Sequence, residues 1–549
     1  MMNLYFTGLA KVPTSAEMRL WDKAATDFGL PEVMLMENAG RQCFEVAMHR
    51  FGRPSNVILF MGSGNNGGDA ACMARHFADA HTIATVYHTR ELPDKNTSAG
   101  WHADLAMRDG VNFVSLNSPP EISAQSLLRS IVAATGRLPD LIVDGLLGTG
   151  FANELRPDMA KLVSAISDLA SLSKSPILSI DVPSGLNSDN GKPSPVAIQS
   201  TVTVTLAAPK PGLLVPASRR WIGELVCRDI GIPRAVLADC PAQMRLLEGD
   251  SLLLLPRLPK QSYKNVYGHV CIFGGWRGYA GAAHLASLAA LRAGAGLVTA
   301  CAPEESLALI KNGLPEVMTY PAMAGPKWPH ELSPKLIELI QKSTSLVIGP
   351  GLGRSEEAGS FLTSLLRVSK RPPAVIDADA LAIMANQKEL FQHLTANDII
   401  TPHPGEAGLI LGNSGKEIES DRFGSLAKLC AISPAVCVLK GAGTLIGQAA
   451  RPALFSPYDI PQLAVAGSGD ALAGCIGALL GSGQFASMDS LSLAGAGVAM
   501  HAMAGLACDE IYPDRGNQPT QIANALCSSL QFVISQQSKK PEGIVPWPA

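Results

Sequence analysis

Four segments of this 549-residue chain combine residue types and spacings that could do chemistry. Gly62-Ser63-Gly64-Asn65-Asn66-Gly67-Gly68-Asp69 follows an apolar run at 57–61. Glycines at such a turn let the backbone approach a pyrophosphate, and the unpaired N–H groups that open a helix attract anions. Two asparagines among four glycines favour a ligand over a turn simply capped by Asp69. Asp144-Gly145-Leu146-Leu147-Gly148-Thr149-Gly150 and Ser179-Ile180-Asp181-Val182-Pro183-Ser184-Gly185 follow two further apolar runs. An aspartate in that place can cap a helix, ligate an ion or carry a proton, and the cap is the commonest of the three for one such loop alone. Asn66, Asp144 and Ser184 offer hard oxygen donors suited to an alkali or alkaline-earth cation. Late in the chain, Gly467-Ser468-Gly469-Asp470 opens a small-residue helix expected at 471–481. Its N–H groups and positive dipole end suit developing phosphate charge, while Asp470 is either a dipole stabiliser or a base for a substrate hydroxyl.

The elements that position these residues follow from hydrophobic patterning. Short apolar runs at 57–61, 141–143, 177–180, 270–273, 346–348, 374–376 and 436–439 each end in a turn and lead into helical periodicity. Such runs predict parallel strands buried on both faces, hence α/β layers with ligand sites at the carboxyl ends of strands. A composition break across 232–262 places a domain boundary near residue 240, giving two different α/β domains, 1–240 and 241–549. Glycine, at 52 residues, exceeds its usual share of about 7% and suggests close backbone approaches. With 44 basic and 47 acidic residues there is no cationic excess for a nucleic acid. Eleven single cysteines without a C-x-x-C pair read as reduced, mostly buried thiols in the cytoplasm, with no zinc site. The first residues lack a basic start and a sustained apolar stretch, so no signal peptide is expected. Two charge-free windows, 471–488 and 490–508, read as closely packed buried helices and not as membrane spans.

Other loops of the second half carry similar potential. Gly274-Gly275-Trp276-Arg277-Gly278-Tyr279-Ala280-Gly281-Ala282-Ala283 leads into a helix expected at 282–294. Gly349-Pro350-Gly351-Leu352-Gly353, Asp377-Ala378-Asp379 and Thr401-Pro402-His403-Pro404-Gly405-Glu406 follow strands. His403, between prolines, cannot sit in a regular helix or central strand, so it is held at a loop beside Glu406. Lys440-Gly441-Ala442-Gly443-Thr444 ends the run at 436–439. A Walker-type lysine loop is absent from the sequence.

Taken in order, Leu35-Met36-Glu37-Asn38-Ala39-Gly40, the Asn65–Asp69 loop, the Asp144–Gly150 and Asp181–Gly185 loops and Pro209-Lys210-Pro211-Gly212 resemble the NAD(P)H-hydrate epimerase domain over about 180 residues. The resemblance implies a Rossmann-like domain that interconverts the R and S forms of hydrated NADH or NADPH. It implies that Asn65, Asn66, Gly67, Gly68 and Asp69, with Gly148, Thr149, Gly150, Phe151, Ala152, Asn153 and Glu154, bind the dinucleotide. Asn66, Asp144 and Ser184 would hold potassium, and Asp181 would be the catalytic group at the nicotinamide. Lys210 is either an electrostatic aid there or a surface or capping lysine. Ala70 stands where the family usually has glycine.

From Gly268-His269 to about Leu480 the second half resembles the ribokinase-like superfamily, and within it the NAD(P)H-hydrate dehydratases. That resemblance implies a nucleotide site at Lys440, Gly441, Ala442, Gly443, Thr444 and Gly469. Ala282, Gly351, His403 and Asp470 would line the hydrated-nicotinamide site, with Asp470 catalytic; Trp276 replaces a small residue expected in its loop. Together the two resemblances imply a repair enzyme acting on hydrated NADH and NADPH. ADP, more than ATP, would be the co-substrate, with magnesium and potassium as ions. A homo-oligomer is expected, without nucleic-acid or membrane partners. The competing reading is a ribokinase-like kinase of a small alcohol carrying a dinucleotide-binding regulatory domain.

Overall fold

The computed structural model describes residues 9–116, 123–151, 154–256, 263–514 and 516–537. The chain divides into two compact units, one beginning at Lys11 and ending at Met244, the other running on from Arg245 and including residues 9 and 10.

The first unit is built on a seven-stranded sheet: β1 (Asn56–Met61), β2 (Ile83–His88), β3 (Asn112–Ser115), β4 (Leu141–Gly145), β5 (Ile177–Ile180), β6 (Val202–Leu206) and β7 (Glu224–Arg228). All neighbours are parallel, in the order 3-2-1-4-5-6-7. The period-2 alternation of a strand divides the core. Val57, Leu59 and Met61 pack with Met18, Trp21, Leu35, Val46 and Phe77, while Ile58 and Phe60 pack with Ile131, Leu162, Ile166 and Leu169 on the opposite face. Helices on both faces leave β1 and β4 buried throughout, as the apolar runs 57–61 and 141–143 within them require. The strand order reverses between β1 and β4, and a crevice opens at the carboxyl ends there. Register sets Phe60 opposite Asp144, and Asp144 opposite Ser179.

The second unit holds β9 (His269–Phe273), β10 (Leu297–Ala302), β11 (Met318–Pro321), β12 (Ser345–Ile348), β13 (Ala374–Ile376), β14 (Ile399–Ile400), β15 (Val436–Leu439), β16 (Thr444–Gly447) and β17 (Ala453–Ser456). Its sheet runs 11-10-9-12-13-14-15-16-17, parallel as far as β15 and antiparallel through β16 and β17, with β8 (Met244–Leu246) at the far edge. The reversal point lies between β9 and β12. Helices Ala280–Arg292, Ser468–Gly481 and Ser490–Ile511 are stacked at close quarters. A methyl added at Gly474 would stand 2.1 Å from the Ala286 carbonyl oxygen, and one at Gly497 2.5 Å from Ile476. Small residues in these helices therefore serve backbone-to-backbone packing. Ser490–Ile511 is long and apolar enough to cross a membrane, but 83% of its apolar window is buried inside the protein.

Candidate functional site

In the first unit, the loops after β1, β4 and β5 and the segment after β6 surround a cleft of about 820 Å³. Among the residues expected to bind, Asn65, Asn66, Asp69, Gly148, Thr149, Gly150, Phe151 and Asp181 line it; Gly67, Gly68 and Glu154 do not, and Ala152 and Asn153 lie outside the described residues. One expectation is corrected. The helix begins at Asn65 with Gly64 as its N-cap, so Asn65–Asp69 is its opening turn and Asp69 is an interior helical residue that caps nothing. The glycines explain why the helix can start so early. A methyl on Gly67 would meet the Gly62 carbonyl oxygen at 2.1 Å, and one on Gly68 the Met36 sulfur at 2.4 Å. Both are demanded by packing, whereas Gly64 and Gly150 face open space.

Asp181 follows β5 with φ 63°, a left-handed conformation that a short polar side chain tolerates better than most. Its carboxylate is tied by its Oδ1. Lys210 Nζ donates to it at 2.5 Å and the Leu206 N–H at 3.2 Å. Lys210 is itself 1% exposed and also donates to Thr205 Oγ1 and the Leu206 carbonyl, so all its directions are used inside the protein. The lysine is thus a fixed part of the cleft wall. Asp22, from helix Ser15–Phe28, joins the same wall; burial, opposed by Lys210 and aided by Asp181 and Glu32, pushes its carboxyl up to about 6. Burial and then Asp181, Asp22 and Glu32 push Asp69 well above the usual carboxylate range. Burial thus raises two carboxyl groups, Asp22 and Asp69, in the wall that also holds Asp181. Nothing in the loop motifs pointed to Asp22, which sits on an ordinary amphipathic helix.

Asn66, Asp144 and Ser184 also meet. Ser184 donates its hydroxyl at 2.5 Å and its N–H at 2.8 Å to the fully buried Asp144 carboxylate, which also accepts from Ser179 Oγ at 2.8 Å. Leu147 links the third residue, since its N–H donates to Ser184 Oγ at 3.0 Å and its carbonyl accepts from Asn66 Nδ2 at 2.9 Å. Asn66 Oδ1 is buried without a donor. Asp144 is an ion-ligand candidate and not a helix cap, its carboxyl raised by burial against the pull of its hydroxyl and N–H partners. A buried carboxylate, a hydroxyl and an orphaned amide oxygen are the donor set a hard monovalent cation fits.

In the second unit the strand-end loops gather around Lys440, at the end of β15. Its Nζ donates to Asp377 Oδ1 at 2.6 Å and stands 4.0 Å from Glu406 Oε2. A methyl on Gly469 would lie 3.3 Å from that Nζ, so the lysine abuts the opening turn of the Ser468–Gly481 helix. Burial works against the Lys440 charge, but Asp377, Glu406 and Asp470 outweigh it and its pKa rises. Asp470, in that opening turn, is pushed up to about 7 by burial and Asp377, against the pull of Lys440. Glu406 is pushed up to about 7 by burial, again against Lys440. His403 is the N-cap of helix Pro404–Leu411, its Nδ1 accepting from the Gly405 N–H at 3.0 Å while Glu406 Oε2 accepts the His403 N–H at 2.9 Å. Burial and Lys440 keep its imidazole below the usual histidine range.

Gly351, at φ 61°, and Ala282 face each other: a methyl on Gly351 would lie 3.3 Å from the Ala282 methyl. Trp276 packs its ring on Gly353 and donates its indole N–H to the Pro326 carbonyl at 3.0 Å. Gly353 N–H is held by Asp379, and a methyl on Gly349 would collide with the Asp377 carbonyl, which ties this group to the Asp377 loop. Gly441, Ala442, Gly443 and Thr444 continue from Lys440 over buried Arg422, whose Nη2 donates to the carbonyls of Leu439, Lys440 and Gly443. Asp377, Glu406 and Arg422 were not singled out from the sequence as site residues. Their roles depend on Lys440 and the 440–444 loop arriving beside them from distant segments. Buried His501, whose imidazole is held down at about 4 by burial, bonds Ser468 and steadies the same opening turn.

Comparison with known proteins matches both halves of the chain. A family model described as YjeF-related protein N-terminus matches residues 32–212, and one described as NAD(P)H-hydrate dehydratase matches 270–527. The chain is 34% identical over 543 residues to the bifunctional NAD(P)H-hydrate repair enzyme Nnr of Moorella thermoacetica, covering 97% of this chain and 98% of that one. It is 34% identical over 535 residues to the enzyme of that name in Escherichia coli, covering 95% and 93%. Among solved structures, a ribokinase-like superfamily protein from Enterococcus faecalis matches with 26% identity and TM-score 0.46, covering 53% of this chain and 96% of that one. The chain, with both halves matched in order, belongs to the family of bifunctional NAD(P)H-hydrate repair enzymes.

Proposed function

We propose that the first domain, 1–240, interconverts the R and S forms of hydrated NADH and NADPH, and that the second, 241–549, returns the S form to the dinucleotide at the expense of ADP. The observation that carries this reading is the pairing of two unlike acid–base centres in one chain: Asp181 fixed to Lys210 in a dinucleotide-sized cleft, and Asp470 poised near neutrality at a helix N-terminus.

Epimerisation at the hydroxylated ring carbon needs only proton transfers with loss and return of water. Asp181 is placed to move the proton, and Lys210 holds the carboxylate oriented in the cleft wall. In the second unit, Asp470 takes the proton of the ring hydroxyl as that oxygen attacks the terminal phosphate of ADP, and AMP leaves. The phosphate ester is then expelled by the ring nitrogen lone pair, and loss of a proton from the adjacent carbon restores the dihydronicotinamide. The positive end of the Ser468–Gly481 helix and the Lys440 ammonium beside its opening turn would face the transferring charge. Magnesium would come with the nucleotide and neutralise its phosphates. Potassium would rest on Asn66, Asp144 and Ser184, where it would fix the loop after β4 against the substrate phosphates. Eleven unpaired cysteines support a reducing, cytoplasmic setting.

The test is to incubate the protein with hydrated NADH and ADP and follow the return of NADH absorbance. Recovery from both epimers is expected. Recovery from the S form alone would reduce the first domain to a binding module, and none, with phosphorylation of some other alcohol, would make the protein a kinase.

A further inference from the structure

Away from both clusters, three helices of the first unit bring soft and borderline ligand atoms together. Glu37 lies on Glu32–Phe51, Cys72 and His76 lie one turn apart on Asn65–Asp79, and His102 lies on Ser98–Arg108. One ligand atom from each of Glu37, Cys72 and His76 lies within 4.8 Å of the others. Cys72 Sγ is 3.4 Å from Glu37 Oε2, and His76 Nε2 is 2.9 Å from Glu37 Oε1. His102 Nδ1 stands 3.7 Å from Glu37 Oε2. Ligand atoms around a tetrahedral zinc ion are separated by about 3.3–3.8 Å, given its bond lengths, and the distances from Glu37 Oε2 to Cys72 and His102 already fall in that range.

The independent observation is His102. Its side chain is fully buried, and its Nε2 donates to the Val33 carbonyl at 3.2 Å. That bond fixes the tautomer, which leaves a lone pair on Nδ1, and Nδ1 is buried with no hydrogen-bond partner. A lone pair facing a carboxylate oxygen, its ring oriented from behind by a backbone carbonyl, is the arrangement found behind metal-bound histidines. At present Arg75 supplies the positive charge. Its Nη2 donates to Glu37 Oε1 at 2.6 Å, but its Nε is buried without a partner and its Nη1 already reaches toward exposed Asp79 at 3.4 Å. The guanidinium therefore has a second anchor one turn away, outside the cluster.

We propose that Glu37, Cys72, His76 and His102 bind a thiophilic divalent cation of the zinc class, and that Arg75 competes with it for Glu37. On binding, the Cys72 thiol gives its proton to solvent and the sulfur bonds the metal, so one proton is released per ion. Sequence spacing hid the site because its ligands come from three helices and only Cys72 and His76 share a recognisable interval.

Cobalt(II) tests this, since thiolate ligation gives it a charge-transfer absorption. The intact chain carrying Cys527→Ser, which removes the exposed thiol, should bind one Co(II) with that band and release it to Zn(II). The band should vanish in Cys72→Ser. Affinity should fall about 10–100-fold in His102→Phe and rise in Arg75→Ala. A band that survives Cys72→Ser, or the absence of saturable binding in both the parent chain and Arg75→Ala, overturns the proposal. Arg75→Ala keeps the outcome decisive if a ligand variant folds poorly.

Discussion

Each unit sets an aspartate and a lysine at the carboxyl ends of parallel strands, and the two pairs are wired differently. In the first, Lys210 bonds Asp181 itself and both are enclosed. In the second, Lys440 bonds Asp377, and Asp470 stands beside that pair with its carboxyl pushed up to about 7 by burial and Asp377. The same residue types thus yield a carboxylate anchored by an ion pair in one place and a proton acceptor poised for release in the other. Composition alone does not separate these cases; the partner of the lysine does.

The sharpest way to break the comparison is Asp470→Asn. It should lower dehydration by about 10²–10⁴-fold, the usual worth of a positioned base, with epimerisation intact; an active variant would remove Asp470 from its role. Asp181→Asn should do the reverse to a similar or smaller extent. Asparagine tolerates the left-handed backbone at this position, so a folded protein is expected and loss of both activities would expose misfolding. Lys210→Met tests the enclosed pair by calorimetry. It strands a buried carboxylate and should destabilise the first unit by about 3–5 kcal/mol, whereas the half-exposed pairs elsewhere are worth far less. The smallest effect concerns pH. Because Asp470 must be ionised to accept a proton, dehydration should rise with pH and level off above about 7, falling about tenfold per unit below it. Lys440→Met removes the cation that lowers Asp470, so the acid limb should move to higher pH. An unmoved limb would mean that another group governs the profile.

Much of this was legible beforehand. The apolar runs at 177–180, 374–376 and 436–439 coincide with β5, β13 and β15, because strands buried on both faces leave an unbroken signal. The loops that follow them carry Asp181, Asp377 and Lys440, since parallel sheets send every carboxyl end to one side. Less could be read where packing and ligand binding ask for the same residue. Gly67 and Gly68 looked like ligand-approach glycines, yet they are fixed by Gly62 and Met36. Asp69, read as part of a ligand-binding loop, is a buried helical acid that lines the cleft. Asp22, Arg422 and the Glu37–His102 cluster rest on contacts between distant segments, for which a linear spacing has no mark.

The buried helix Ser490–Ile511 has a consequence for how the chain is made. It packs on the Ser468–Gly481 helix and reaches β15, β16 and β17, all of which leave the ribosome before it does. Until it emerges, the strands and the helix that carry Lys440 and Asp470 lack one of their covering layers, and an apolar face of the nascent second unit stays wet. The second unit is therefore completed only late in synthesis, whereas the first has all its strands by residue 228.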